Sequence, residues 1–117
     1  MAKALKKVLL VDISEKWPQR WEKELGGKVE LIHELTIEGA LQSFAENKDL
    51  AIIVTIACMA SDRPNTMNMV SKFRRNSRKI PIVAVSQFPN YRKKLKDAGC
   101  SHECPREGVV GKITELI

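Results

Sequence analysis

A chain of 117 residues that is 44% apolar and 29% charged has the size and composition of one globular domain, too short for two. Its formal charge of +6 permits contact with nucleic acid or acidic proteins without requiring either. The longest apolar stretch, 51–60, contains Thr55 and is too short to cross a bilayer. The lysines near the start precede an apolar run that stops at Asp12, which reads as a strand and not as an export signal. A cytoplasmic location is therefore expected, without a membrane partner. Three cysteines, Cys58, Cys100 and Cys104, are an odd number in a chain large enough to fold without staples, so free thiols are expected.

In chain order, the run 8–11 predicts a first strand ending at Asp12. Trp17, Trp21 and Leu25 then recur every four residues after Ser14, with Pro18 in the first turn and Gly26-Gly27 closing the helix. The run 29–32 predicts a second strand. Ile37, Ala40, Leu41, Phe44 and Ala45 form an apolar stripe behind Thr36, an expected N-cap. A third strand at 51–56 is followed by a long connection, 57–65, containing Ser61-Asp62-Arg63-Pro64-Asn65. Met67, Val70 and Phe73 mark a third helix. The run 80–85 predicts a fourth strand, followed by Ser86. Tyr91, Leu95 and Ala98 mark a fourth helix closed by Gly99. A weaker fifth strand is expected at 100–104, and Val109, Ile113 and Leu116 mark a last helix.

Apolar runs without strict alternation suit strands buried on both faces of a parallel sheet. Strands alternating with helices imply right-handed crossovers and helices on both faces, an α/β (βα)5 architecture in one domain, 1–117. In such open sheets ligands bind outside the carboxyl ends of the strands, where the long connection lies.

Lys7-Val8-Leu9-Leu10-Val11-Asp12, Asp49-Leu50-Ala51-Ile52-Ile53, Ile80-Pro81-Ile82-Val83-Ala84-Val85-Ser86 and Lys94-Leu95-Lys96-Asp97-Ala98-Gly99-Cys100 stand in an order that resembles the receiver domain of bacterial response regulators. The resemblance covers essentially the whole chain. It implies a flavodoxin-like sheet of order 2-1-3-4-5 and a signalling role in a two-component or phosphorelay pathway. In that family an acidic pair after strand 1 and an acceptor aspartate after strand 3 hold magnesium. A Ser or Thr after strand 4 and a lysine after strand 5 contact the phosphoryl group. By position, Asp12 keeps one member of the acidic pair beside Ile13. Val54, or Thr55 if the register slips by one, takes the acceptor position. Ser86 is kept, and Arg106 in Cys104-Pro105-Arg106 is the nearest cation to the family's lysine. The implied domain is a pseudo-receiver. Its magnesium binding is weak or absent, because that ion needs several hard oxygen ligands. It would act by phosphorylation-independent contact with a kinase, an output protein or itself. The family's output surface would place Tyr91, Lys94, His102 and Arg106 at the interface. Phosphorylation at a non-standard residue is the alternative, with Asp62 the runner-up acceptor. Asp12 and Ser86 could equally serve only as turn and loop hydrogen-bond partners.

Other features compete for attention. Cys100, His102 and Cys104, with Cys58, could approach a zinc set, although buried cysteines acting as small apolar residues are commoner and no metal site is assigned. Lys72, Arg74, Arg75, Arg78 and Lys79 on helix 3, and Arg92, Lys93, Lys94 and Lys96 on helix 4, could merge into a basic patch. An acidic protein surface suits that patch better than nucleic acid, since few aromatics are available for stacking. One of Trp17 and Trp21 is expected in the core and the other exposed. No glycine-rich phosphate loop follows strand 1 and no nucleophile–base pair is evident, so enzymatic activity is not expected.

Overall fold

The computed structural model describes residues 5–117; Lys3 and its neighbours at the start lie outside the described residues. The elements run β1 (Lys6–Val11), α1 (Lys16–Leu25), β2 (Val29–Glu34), α2 (Ile37–Glu46), β3 (Leu50–Ile56), α3 (Met67–Asn76), β4 (Ile82–Val85), α4 (Pro89–Ala98), β5 (His102–Cys104), a 3-10 turn at Arg106–Gly108, and α5 (Val109–Leu116). All strand pairs are parallel and the sheet order is β2-β1-β3-β4-β5, as expected. The first crossover moves to one side of β1 and the next three move to the other. Right-handed connections therefore place α1 on one face and α2, α3 and α4 on the opposite face. The terminal α5 joins α1, while α3 packs between α2 and α4.

The sheet's centre explains its apolar runs. Val8, Leu9, Leu10 and Val11 of β1 and Ile53 of β3 have no solvent exposure, because each face of these strands is covered. Trp21, Leu25 and Ile113 seal the α1/α5 face, and Ala40, Val70, Phe73 and Leu95 are buried from the other helices. Fully burying each of these large aliphatic or aromatic side chains contributes about 1.5–3 kcal/mol.

Local chemistry sets the element ends. Thr36 Oγ1 accepts the Gly39 amide at 2.9 Å and caps α2. Gly99 closes α4 at φ +139°, and a Cβ there would lie 2.9 Å from Arg74 Cβ, so only glycine fits. Two strands are shorter than the sequence predicts. Pro81 has no N–H to offer, and pairing in β4 begins at Ile82, whose amide donates to Ser101 Oγ. The Cys100 amide donates back to Leu95 O, so residue 100 ends α4 and β5 starts at His102.

Candidate functional site

The strand register defines the carboxyl edge. Val11 lies beside Thr55, so Asp12 and Ile56, the next residue of each chain segment, come side by side at the end of β1 and β3. A cavity of about 480 Å³ opens there, lined by Ile56, Cys58, Asp62, Ser86, Phe88, Tyr91 and Arg106 among others. Val54 and Thr55 do not line it. Both are buried inside the strand, and Thr55 Oγ1 donates to the Ile56 carbonyl. The resemblance put the acceptor position at Val54 or Thr55; β3 ends at Ile56, where the sequence also ends its third strand, and Ile56 is the residue level with Asp12. Nothing in the run 51–57 marks which residue stands level with Asp12, whereas pairing with β1 fixes it.

Asp12 is buried, its amide donates to Glu34 O, and three further connections shape the site. Its Oδ1 accepts the Ser14 amide at 2.9 Å and the Arg106 guanidinium at 2.7 Å, and its carbonyl meets His33 Nε2 at 2.7 Å. The first of these is the turn-forming bond into α1 that an Asx residue makes. Oδ2 is buried without a hydrogen-bond partner among the described residues. Burial pushes the Asp12 carboxyl above its ordinary value, against the Ser14 amide, Arg106 and His33. Arg106 also lies over the half-buried Trp17 ring, 5.8 Å from its centroid, with Arg20 at 5.2 Å. Trp21 is the tryptophan that goes into the core.

The long connection is tied back across the edge. The Asn65 side chain donates to Met59 O and accepts from Met59 N, each at 2.7 Å, and Asn65 N donates to Ala57 O. Buried Thr66 donates to the Ile56 and Ala57 carbonyls. Ala60 turns the loop at φ +55°, a left-handed conformation unusual for a residue with a Cβ. This return carries Asp62 to the cavity despite its separation from β3 along the chain.

Ser86 Oγ accepts the Phe88 amide at 3.1 Å, and its carbonyl accepts from Arg92 at 2.7 Å. The carboxyl edge thus carries Asp12, bonded to Arg106 and level with Ile56, next to a cavity that Ile56, Asp62, Ser86 and Arg106 line. As ligands for a hard cation, the strand ends supply one carboxylate, already bonded to Arg106, while Ile13 and Ile56 supply no oxygen from their side chains. Phe88, expected with Tyr91 in the core or at a rim, stands 58% exposed at the cavity rim with its ring 5.1 Å from that of Tyr91.

Other candidate residues separate. Of the expected interface set, Tyr91 and Arg106 share the cavity. Lys94 is exposed on α4, and His102 lies in β5 with Nδ1 2.9 Å from Ser101 Oγ. The basic helices α3 and α4 are neighbours, as expected, but two of their arginines are held within the fold. Arg74 donates to Gly99 O, Ser77 O and Arg78 O, and Arg92 pairs with Glu103 at 3.0 Å. Lys96 also pairs with Glu103, whose carboxyl is held below its usual value by these two cations. Lys72, Arg75, Arg78 and Lys93 are exposed and make no ion pair among the described residues. The possible zinc ligands Cys58, Cys100, His102 and Cys104 form no metal-holding cluster among the described residues. Burial pushes the Cys100 thiol up to about 12 and the Cys104 thiol to about 11.

A parallel β2-β1-β3-β4-β5 sheet with its cavity at the carboxyl edge is the receiver form of the flavodoxin-like fold. Among solved structures, the chain is similar to the signal receiver domain of an HD domain-containing protein from Pseudomonas fluorescens Pf-5. That likeness has a TM-score of 0.79 at 14% identity and covers 99% of this chain and 89% of that one. It is similar to the chemotaxis protein CheY4 of Vibrio cholerae, with a TM-score of 0.78 at 18% identity, covering 97% of this chain and 100% of that one. A two-component response regulator from Clostridium difficile has a TM-score of 0.79 at 18% identity, covering 95% and 94%. At such identities the likeness is one of fold. No family model and no curated protein matches the sequence.

Proposed function

We propose that this chain is a receiver-like signalling domain of a two-component or phosphorelay pathway that acts through protein–protein contact, without phosphorylation of a strand-end aspartate. The observation that carries this reading is Ile56, an aliphatic side chain at the cavity beside Asp12. An isoleucine forms no acyl phosphate, and a single carboxylate engaged by Arg106 makes a poor magnesium site, so magnesium binding is weak or absent. The domain is a recognition module and not an enzyme, and it works in the cytoplasm. Its partner is a kinase, an output protein or a second copy. The exposed Phe88 beside Tyr91 supports a protein contact at this edge. The basic face of α3 and α4 suits an acidic protein before nucleic acid.

The test is amide NMR of the labelled chain titrated with magnesium, then with magnesium and beryllofluoride, an acyl-phosphate mimic. Unmoved signals at Asp12, Ile56 and Ser86 are expected. Saturable shifts there would overturn the reading. A second reading, phosphorylation at a non-standard residue, is favoured by one observation: Asp62 reaches the same cavity as Ser86 and Arg106. Beryllofluoride-dependent shifts that vanish in Asp62→Asn would establish it in place of the first.

A further inference from the structure

A second cavity, of about 610 Å³, opens at the opposite end of the sheet, between the last turns of α2 and α3 and the starts of β3 and β4. Its apolar walls come from Leu41, Phe44, Leu50, Phe73 and Ile80. Phe44 stands edge-on to the fully buried Phe73, with ring centroids 4.7 Å apart, so this wall is a fixed aromatic surface. The polar boundary is of one sign: Lys48, Lys72 and Arg75 line the cavity and no carboxylate does. The acids closest in sequence are engaged elsewhere, Glu46 with Gln42 at 2.9 Å and Asp49 with Lys7 at 3.2 Å. Two helices end here, and their carboxyl-terminal dipoles would oppose an anion if their carbonyls stood open. Some of the carbonyls in these last turns are covered. Asn47 Nδ2 donates to Ser43 O and Asn76 Nδ2 to Lys72 O, each at 2.8 Å, and the Ser77 amide donates to Phe73 O.

From this arrangement we propose that the α2/α3 cavity binds an amphipathic organic anion, with an apolar or aromatic body against Phe44, which Phe73 backs, and a carboxylate, sulfonate or phosphate group toward Lys72 and Arg75. Its volume lies within the range of small-molecule sites, about 300–1,000 Å³. The site is independent of the carboxyl edge.

The full chain would be titrated with 8-anilinonaphthalene-1-sulfonate and, separately, with its uncharged analogue N-phenyl-1-naphthylamine, followed by fluorescence and amide NMR. Saturable single-site binding of the sulfonate is expected, with shifts centred on Phe44, Phe73 and Ile80. The uncharged analogue should bind about five- to tenfold more weakly, and Lys72→Ala/Arg75→Ala should lose a similar factor for the sulfonate alone. Both positions are exposed or rim cations, so the double variant should keep the wild-type denaturation midpoint. Shifts dispersed elsewhere, no saturation, or equal affinity for the two probes would overturn the proposal. Unchanged sulfonate affinity in a folded double variant would overturn it as well.

Discussion

The Arg106 guanidinium reaches Asp12 Oδ1 at 2.7 Å across 94 residues of sequence, joining the turn after β5 to the end of β1. This pair sits where the sheet's first and last βα units meet over Trp17. Asp12 is buried while Arg106 keeps a partly exposed side chain, so the pair's two members are unequal: the carboxylate depends on the arginine more than the reverse. Removing the cation strands a buried charge, and such losses cost more than the intact pair contributes.

Arg106→Met keeps the apolar stem over Trp17 and deletes the charge. It should destabilise the fold by about 1–3 kcal/mol at neutral pH. The loss should shrink as the pH falls and Asp12 takes up a proton. Urea denaturation at neutral and acid pH measures both, and an equal loss at the two would contradict the assignment.

Asp12 makes its own pH signature. Its folded-state carboxyl lies above the ordinary value of 3.8, chiefly through burial. The native state therefore takes up this proton before the unfolded chain does. The resulting stability is fully present below the unfolded value and is lost as the pH rises through the folded one. Glu103, held low by Arg92 and Lys96, contributes in the opposite sense. The stability of the wild type minus that of Asp12→Asn removes such background. That difference should fall as the pH rises from the ordinary carboxylate range toward neutrality. A difference that rises over this interval would refute the burial account.

What could be read from sequence was what local chemistry decides. The β-branched runs and the Thr36 cap act through residues within a few positions, and Gly99 closes α4 at a positive φ as a helix-ending glycine does; each appears where expected. What could not be read is decided by partners far along the chain. Which residue of β3 stands level with Asp12 is set by pairing with β1, which moves that position from Val54 or Thr55 to Ile56. The return of Asp62 depends on Asn65 clasping Met59. The two arginines taken out of the basic face, Arg74 and Arg92, bond to groups on the next helix and strand. A count of charges cannot distinguish a guanidinium facing solvent from one sealing a helix end.

The three thiols should react in an order set by burial. Cys100 and Cys104 are buried, with values pushed to about 12 and about 11, so little thiolate exists at neutral pH. Cys58 is half-buried at the cavity and only raised, by burial and then by Asp62. Alkylation of the native chain followed by mass mapping should label Cys58 first and by a wide margin. Early labelling of Cys104 would contradict the packing described for β5.

The clasp on the long connection predicts a local effect. Asn65→Ala removes two hydrogen bonds to Met59 and should cost about 1–2 kcal/mol. Because Thr66 still bonds the Ile56 and Ala57 carbonyls, the loosening should be confined to the loop. Amide hydrogen exchange should therefore quicken at Met59 while β3 stays protected. Accelerated exchange through Ile53 and Val54 would mean that the loop and strand open as one unit.

Ile56→Asp tests the strand-end reading by adding what the edge lacks. The substitution sets a second carboxylate beside Asp12, close to Ser86 and Arg106 in the same cavity. Without a cation it should lower stability by about 2–4 kcal/mol, through lost apolar burial and repulsion between two poorly solvated carboxylates. Two carboxylates with a hydroxyl nearby form a far better donor set for a hard divalent ion than Asp12 alone. Magnesium should then raise the melting temperature of the variant in a saturable manner and leave the wild type unmoved, since a ligand stabilises only the state that binds it. Arg106 competes for Asp12, so Ile56→Asp combined with Arg106→Lys should bind the ion more tightly than the single variant. If magnesium leaves both variants unmoved, the edge lacks more than one carboxylate, and the account of Ile56 as the deciding residue fails.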